Sequence, residues 1–197
     1  MDNVHVAIRA RPFIKREKDN DAKFYWKTDT NTVQQVDSRG KHVGKPYTFD
    51  RVFVEDETTQ DVYEEIAQPI VESAMDGYDG TIFAYGQTAS GKTYTMQGNN
   101  MCPGIIPSTV QEIFDTIENT PDREFLLRVS YLELYNESLT DLLCDEKKQL
   151  SIRENGCDYV CNKIAKYYQL CVTPRWPLFH DFDKMLVYKL SIHLGQL

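Results

Sequence analysis

The chain has 197 residues, 41% of them hydrophobic, enough to bury a sizeable core within one domain and too many for a disordered tail. Its formal charge of −8 argues against a nucleic-acid partner, whose phosphates require clustered lysine and arginine, and no long basic stripe occurs. No basic region followed by an apolar core opens the chain and no apolar run reaches the length of a membrane span, so a soluble intracellular protein without membrane contact is expected.

Val4-His5-Val6-Ala7-Ile8 alternates with period two and reads as a strand, closed by Arg9-Ala10-Arg11-Pro12, where proline ends pairing. Lys15 to Lys23 reads as a polar loop. Phe24 to Trp26, Thr32 to Val36 and Tyr47 to Phe53 are short strand candidates separated by turn residues. From Thr58 the period changes. Val62, Ile66 and Ile70 share a helical face with Tyr63, Ala67 and Ala74, and Pro69 inside this stretch predicts a kink. Gly77 to Gly80 ends the helix, and Thr81-Ile82-Phe83-Ala84-Tyr85 reads as a strand.

Farther on, Pro107 to Asn119 carries Val110, Ile113, Phe114 and Ile117 at helical spacing. Glu124 to Tyr131 reads as one long strand, and Leu150 to Arg153 as a further one. The tail from about Gly156 is rich in aromatics and prolines without a sustained period, apart from one amphipathic helix expected between Phe182 and Leu194. Strands alternating with helices predict an α/β fold with a ligand at strand carboxyl ends.

Gly86-Gln87-Thr88-Ala89-Ser90-Gly91-Lys92-Thr93 fits the phosphate-loop pattern G-x-x-x-x-G-K-[ST] at every fixed position, directly after the Thr81 to Tyr85 run. Such a loop needs glycines because backbone N–H groups must curl around phosphates, with φ values and an approach that a Cβ obstructs. Lys92 is expected to reach the β/γ-phosphates and the Thr93 hydroxyl to hold Mg²⁺. A helix opening at Thr93 would turn its positive end to the anion. The plain alternative, a glycine-rich turn between two core elements, does not account for the spacing or for the apolar run before it.

Five cysteines, Cys102, Cys144, Cys157, Cys161 and Cys171, read as reduced thiols in a chain without a secretion signal. The spacing of Cys157, Cys161, Cys171 and His180 matches no standard zinc pattern.

These residues carry a resemblance. Arg9-Ala10-Arg11-Pro12, Phe49-Asp50-Arg51-Val52-Phe53, Val62-Tyr63-Glu64-Glu65-Ile66, Gly77 through Thr88, Lys92-Thr93-Tyr94-Thr95-Met96, Gly104-Ile105-Ile106-Pro107, Ser130 to Glu137 and Asp141-Leu142-Leu143 together resemble the kinesin motor domain. The Tyr25 to Asp29 segment, Ala89 and Pro121 to Val129 are most similar to its centromere-associated, kinesin-7 branch. The resemblance spans roughly residues 3 to 155, so residues 1–155 are expected to be the N-terminal part of such a domain and 156–197 a divergent tail.

The resemblance implies a kinesin-type P-loop NTPase fold, an eight-stranded mixed sheet flanked by helices, binding ATP with Mg²⁺. It places Arg9, Arg11 and Pro12 against the adenine, with Tyr94 covering the base from the other side. It implies microtubules as partner, with a cytoplasmic and cytoskeletal location and, for the centromeric branch, the mitotic spindle or kinetochore. Two family motifs are missing from these residues: the N-x-x-S-S-R-S-H and D-x-x-G-x-E switches, which sense the γ-phosphate and organise the attacking water. A dimerising stalk is missing too, along with the main microtubule-binding elements. No catalytic residue is therefore expected here, and hydrolysis and movement are expected to be impaired. The divergent tail reads as the mark of a truncated or alternatively spliced product, or of an imperfect gene model with a shifted reading frame. The alternative is an inert nucleotide-binding or regulatory fragment. An unrelated GTPase is disfavoured because N-K-x-D is absent. Half a mixed sheet leaves an open strand edge, which predicts poor solubility.

Overall fold

The computed structural model describes residues 4–20, 22–123, 125, 127–129, 131–143, 149–155, 158–162 and 168–169. The chain divides into two compact units, Met1–Pro69 with Ala84–Thr109 and Ile70–Phe83 with Val110–Leu197.

In the first unit, β1 (Ala7–Arg9) shares only Ala7 and Ile8 with the strand expected from Val4 to Ile8 and runs on through Arg9, which was expected to close it. Lys15–Asp19, expected as loop, forms a short helix α1. Its start is fixed locally: the Ile14 N–H donates to the Glu17 carboxylate at 3.0 Å, satisfying a donor that a helix end leaves open. Next come β2 (Trp26–Thr28), β3 (Thr32–Val36), β4 (His42–Thr48) and β5 (Arg51–Phe53). The single strand expected from Tyr47 to Phe53 is thus divided between two sheets. β2, β3 and β4 make an antiparallel meander, whereas β5 pairs in parallel with β1, Arg9 lying opposite Phe53. Val52 and Phe53 are fully buried. Arg51 lies over the Phe53 ring, 4.4 Å from its centroid, and donates to both Glu57 and Glu65.

The expected amphipathic helix is present with an irregularity that proline explains. It runs as α2 (Thr59–Val62), a wide π-turn at Tyr63–Ala67, and α3 (Gln68–Met75). In the wide turn the Gln68 N–H bonds to the Tyr63 carbonyl, five residues back. Pro69 has no N–H, and in a regular helix its ring would clash with the carbonyl four residues back, that of Glu65; widening the turn that precedes it avoids the clash. After this, α4 (Lys92–Met96) and α5 (Ile105–Glu118) follow, α5 beginning two residues before the expected Pro107.

In the second unit, Val71, Met75, Ile113 and Leu127 form a buried cluster with Phe114, Ile117 and Phe125 packed against it. Burying each such side chain contributes about 1.5–3 kcal/mol. Of the long strand expected from Glu124 to Tyr131, β6 (Arg128–Val129) is present among the described residues; Glu124, Leu126 and Ser130 lie outside them. β7 (Leu132–Tyr135) and β8 (Ser138–Asp141) make a hairpin whose two-residue turn, Asn136-Glu137, has φ of +48° and +62°. Both values suit the turn type that matches strand twist. β9 (Gln149–Asn155) contains the expected Leu150 to Arg153 strand, and β10 (Asp158–Asn162) pairs antiparallel with it. β11 (Tyr168–Gln169) pairs with β6. The helix expected from Phe182 to Leu194 lies outside the described residues.

The α/β class and the mixture of parallel and antiparallel pairing agree with expectation. One continuous eight-stranded sheet does not form among the described residues, where the strands make four separate sheets. Thr81 to Tyr85 is the clearest correction: its residues alternate between exposed and half-buried as a strand's would, yet they belong to no ladder among the described residues. Sequence supplies the alternation, but a strand also needs a backbone beside it.

Candidate functional site

The phosphate-loop residues are organised by two close approaches and two left-handed turns. At Gly86 a Cβ would stand 2.5 Å from the Ser90 hydroxyl oxygen, so no larger residue fits without moving Ser90. The Ser90 N–H donates to the Gln87 carbonyl at 3.2 Å, closing the turn. Ala89 and Gly91 follow with φ of +63° and +100°, Gly91 serving as the residue that opens α4. The Lys92 ammonium then folds back and donates to the carbonyls of Gly86 and Gln87 at 2.7 and 2.8 Å. Gln87, Thr88, Ala89 and Thr93 are exposed, so the outer rim of the loop and the Thr93 residue face solvent.

Beside the loop stands Arg9, at the end of β1. Its guanidinium donates to the Thr95 hydroxyl at 2.8 Å and to the Thr59 hydroxyl at 2.9 Å, and lies 5.4 Å from the centroid of the Tyr94 ring. Burial lowers the Arg9 pKa, while Tyr94 and then Asp61 raise it. The pairing of β1 with β5 and the helix start at Thr59 bring these groups together across 86 and 50 positions of sequence. Arg11 is committed differently: two bonds of 2.7 Å join it to Glu17, and a third at 3.1 Å reaches the Pro12 carbonyl. Its Cδ lies 3.9 Å from where a Cβ on Gly91 would be, so its stem borders the loop. Pro12 itself is exposed.

Thus Arg9 meets Tyr94, and Arg11 meets the glycine that opens α4. Thr59 and Thr95 were not singled out by the sequence reading. Thr58-x-x-Asp61 is a legible capping box, and the structure contains it: the Thr58 N–H donates to the Asp61 carboxylate, and the Asp61 N–H donates to the Thr58 hydroxyl. Nothing in the local pattern says that the next residue, Thr59, reaches an arginine on β1.

The chemistry suits a polyphosphate. Among the described residues no carboxylate pairs with Arg9 or Lys92, whereas Arg11 and Arg51 are each held by glutamates. Two cations without carboxylate partners beside a glycine turn form an anion-attracting surface. No group of three or more metal-binding side chains occurs among the described residues, and no described helix is long and apolar enough to cross a membrane.

The family model for the kinesin motor domain matches residues 9–169, past the boundary expected near residue 155. Centromere-associated protein E from Homo sapiens is 56% identical over 156 residues, covering 77% of this chain and 6% of that protein. Kinesin-like protein KIN-7G from Oryza sativa subsp. japonica is 48% identical over 154 residues, covering 78% of this chain and 17% of its own length. Kinesin-like protein KIN-7O from Arabidopsis thaliana is 46% identical over 155 residues, covering 79% and 12%. The chain therefore spans a small part of the curated relatives it matches. On the match over most of its length, and on the phosphate loop and arginine site within it, the chain belongs to the kinesin motor-domain family, with its similarity directed to the centromere-associated, kinesin-7 branch.

Proposed function

We propose that these residues bind Mg·ATP and form the N-terminal, nucleotide-holding part of a microtubule motor. The observation that carries the reading is the loop: Gly86 against Ser90, the left-handed turn at Gly91, and Lys92 held at the loop carbonyls with no carboxylate partner among the described residues. In this reading the amides of residues 86–93 and Lys92 hold the phosphates, and Thr93 holds the metal. The metal supplies charge neutralisation at the phosphates. Arg9, Pro12, the Arg11 stem and Tyr94 border the adenine.

Relatives named for kinesins and for the centromere support microtubules as partner, a cytoskeletal location and, more narrowly, a mitotic role at the kinetochore or spindle. The 197 residues contain neither a Ser-Ser-Arg-Ser-His run nor an Asp-Leu-Ala-Gly-Ser-Glu run. By themselves they hold nucleotide and turn it over slowly, because phosphoryl transfer depends on groups that position the attacking water and stabilise the developing charge. A titration with Mg·ATP followed by an ATPase assay with and without microtubules tests both parts. Binding without microtubule-stimulated turnover is expected. Absence of binding overturns the site assignment, and turnover that rises with microtubules overturns the slow-hydrolysis reading.

A further inference from the structure

Three arginines of the first unit are held in two different ways. Arg11 donates to Glu17, and Arg51 to Glu57 and Glu65, so each has its charge answered by carboxylates. Arg9 instead has one terminal nitrogen on the Thr95 hydroxyl and the other on the Thr59 hydroxyl. A carboxylate both orients a guanidinium and neutralises it. Two neutral hydroxyls orient it without neutralising it, which suits a base site beside a triphosphate.

Thr59 is built for this task. It is a buried polar residue, only 4% exposed, at the first position of α2. The helix does not need its hydroxyl, because Thr58 before it already caps the start by accepting from Asp61. A buried hydroxyl must find a partner, and the partner here is Arg9. Thr95 lies one residue beyond Tyr94 on α4, so the element that follows the phosphate loop supplies both the ring beside Arg9 and the acceptor that fixes it.

We propose that Thr59 and Thr95 are positioning residues for the nucleotide base: together they hold the Arg9 guanidinium in one plane beside Tyr94, so the base wall stands assembled from β1, α2 and α4. The proposal rests on the nucleotide reading above and adds to it a division of labour. Residues 86–93 read the phosphates, and the two threonines act only through Arg9 on the base.

Calorimetric titration of the full chain with Mg·ATP and with magnesium tripolyphosphate, which carries the phosphates and no base, separates these roles. Thr59→Val and Thr95→Val are each expected to weaken ATP about tenfold, the loss of one hydrogen bond to a charged group, and to leave tripolyphosphate affinity unchanged. Thr59→Ser, which keeps the hydroxyl, restores ATP affinity. Equal losses for both ligands in a variant with an unaltered melting curve overturn the proposal, as does undiminished ATP affinity in Thr95→Val. Should burial make Thr59→Val unfold, the Thr95→Val titration carries the decision. If the unsubstituted chain binds neither ligand, the nucleotide reading itself falls and the proposal with it. If it binds both while the valine variants change nothing, only the proposal falls.

Discussion

The Lys92 ammonium donates to the carbonyl oxygen of Gly86 at 2.7 Å, reaching back across its own loop to the glycine that begins it. A second bond of 2.8 Å to the Gln87 carbonyl holds the cation at the loop without any carboxylate partner among the described residues. Lys92→Gln keeps a polar end one atom shorter and removes the charge. It is expected to weaken Mg·ATP and magnesium tripolyphosphate alike, by about a hundredfold, since charge-assisted bonds to phosphate are the stronger class. The melting temperature should move little, because both lysine bonds join residues of one loop. Calorimetry with the two ligands checks this, and a loss confined to ATP would contradict the phosphate role.

How much of this was legible depended on the distance over which the signal acts. The phosphate loop is eight consecutive residues, and its glycines and lysine could be assigned from spacing alone. The meeting of Arg9 with Tyr94 spans most of the first unit and is invisible to local periodicity; the family resemblance implies the two on opposite sides of a base, whereas here the guanidinium lies over the ring, and its threonine holders were not expected. The Asn136-Glu137 turn escaped notice because glutamate at a positive φ replaces the glycine that usually marks such hairpins. Pro69 announced an irregular helix, but only the structure put the relief in the preceding turn, at Tyr63–Ala67. Thr81 to Tyr85 misled for the opposite reason, since the alternation is present and no pairing strand occurs among the described residues.

Ala89 occupies the left-handed region at φ +63°, where its Cβ crowds the following carbonyl. That strain costs about 1 kcal/mol, somewhat more than the chain entropy that alanine saves over glycine in the unfolded state. Ala89→Gly is expected to raise the urea midpoint slightly. Ala89→Val, branched at the strained position, should lower it and weaken phosphate binding as the loop shifts. A stabilised valine variant would show that residue 89 does not adopt this conformation in solution.

Glu17 gives the first unit a pH signature. Its carboxyl is pulled to about 2, first by the Arg11 side chain and then by the Ile14 N–H, against an ordinary 4.5. Because the folded value lies below the unfolded one, the interaction contributes stability above pH 4.5, and the contribution fades as pH falls toward 2. Glu17→Gln should flatten the stability profile across that window and leave its slope near neutrality unchanged. Denaturant midpoints measured in pH steps test it; identical acid slopes for the two proteins would show that the pair is not formed.

Phe83 and Tyr85 are 76% and 95% exposed, on the outward positions of an extended segment that belongs to no ladder among the described residues. Apolar side chains beside open backbone donors and acceptors offer a template for another chain to pair with. Association through this segment should therefore limit solubility. Phe83→Lys places a charge where an aromatic meets solvent, and like charges on paired copies repel. Ile82 and Ala84 point the other way and are half-buried, so charges there would disturb packing and confuse the result. Phe83→Lys is expected to lower light scattering of the concentrated chain severalfold while its melting temperature stays the same, and Ile82→Lys to lower the melting temperature. An unsubstituted chain that remains monodisperse at the same concentration would rule out this segment as the sticking point.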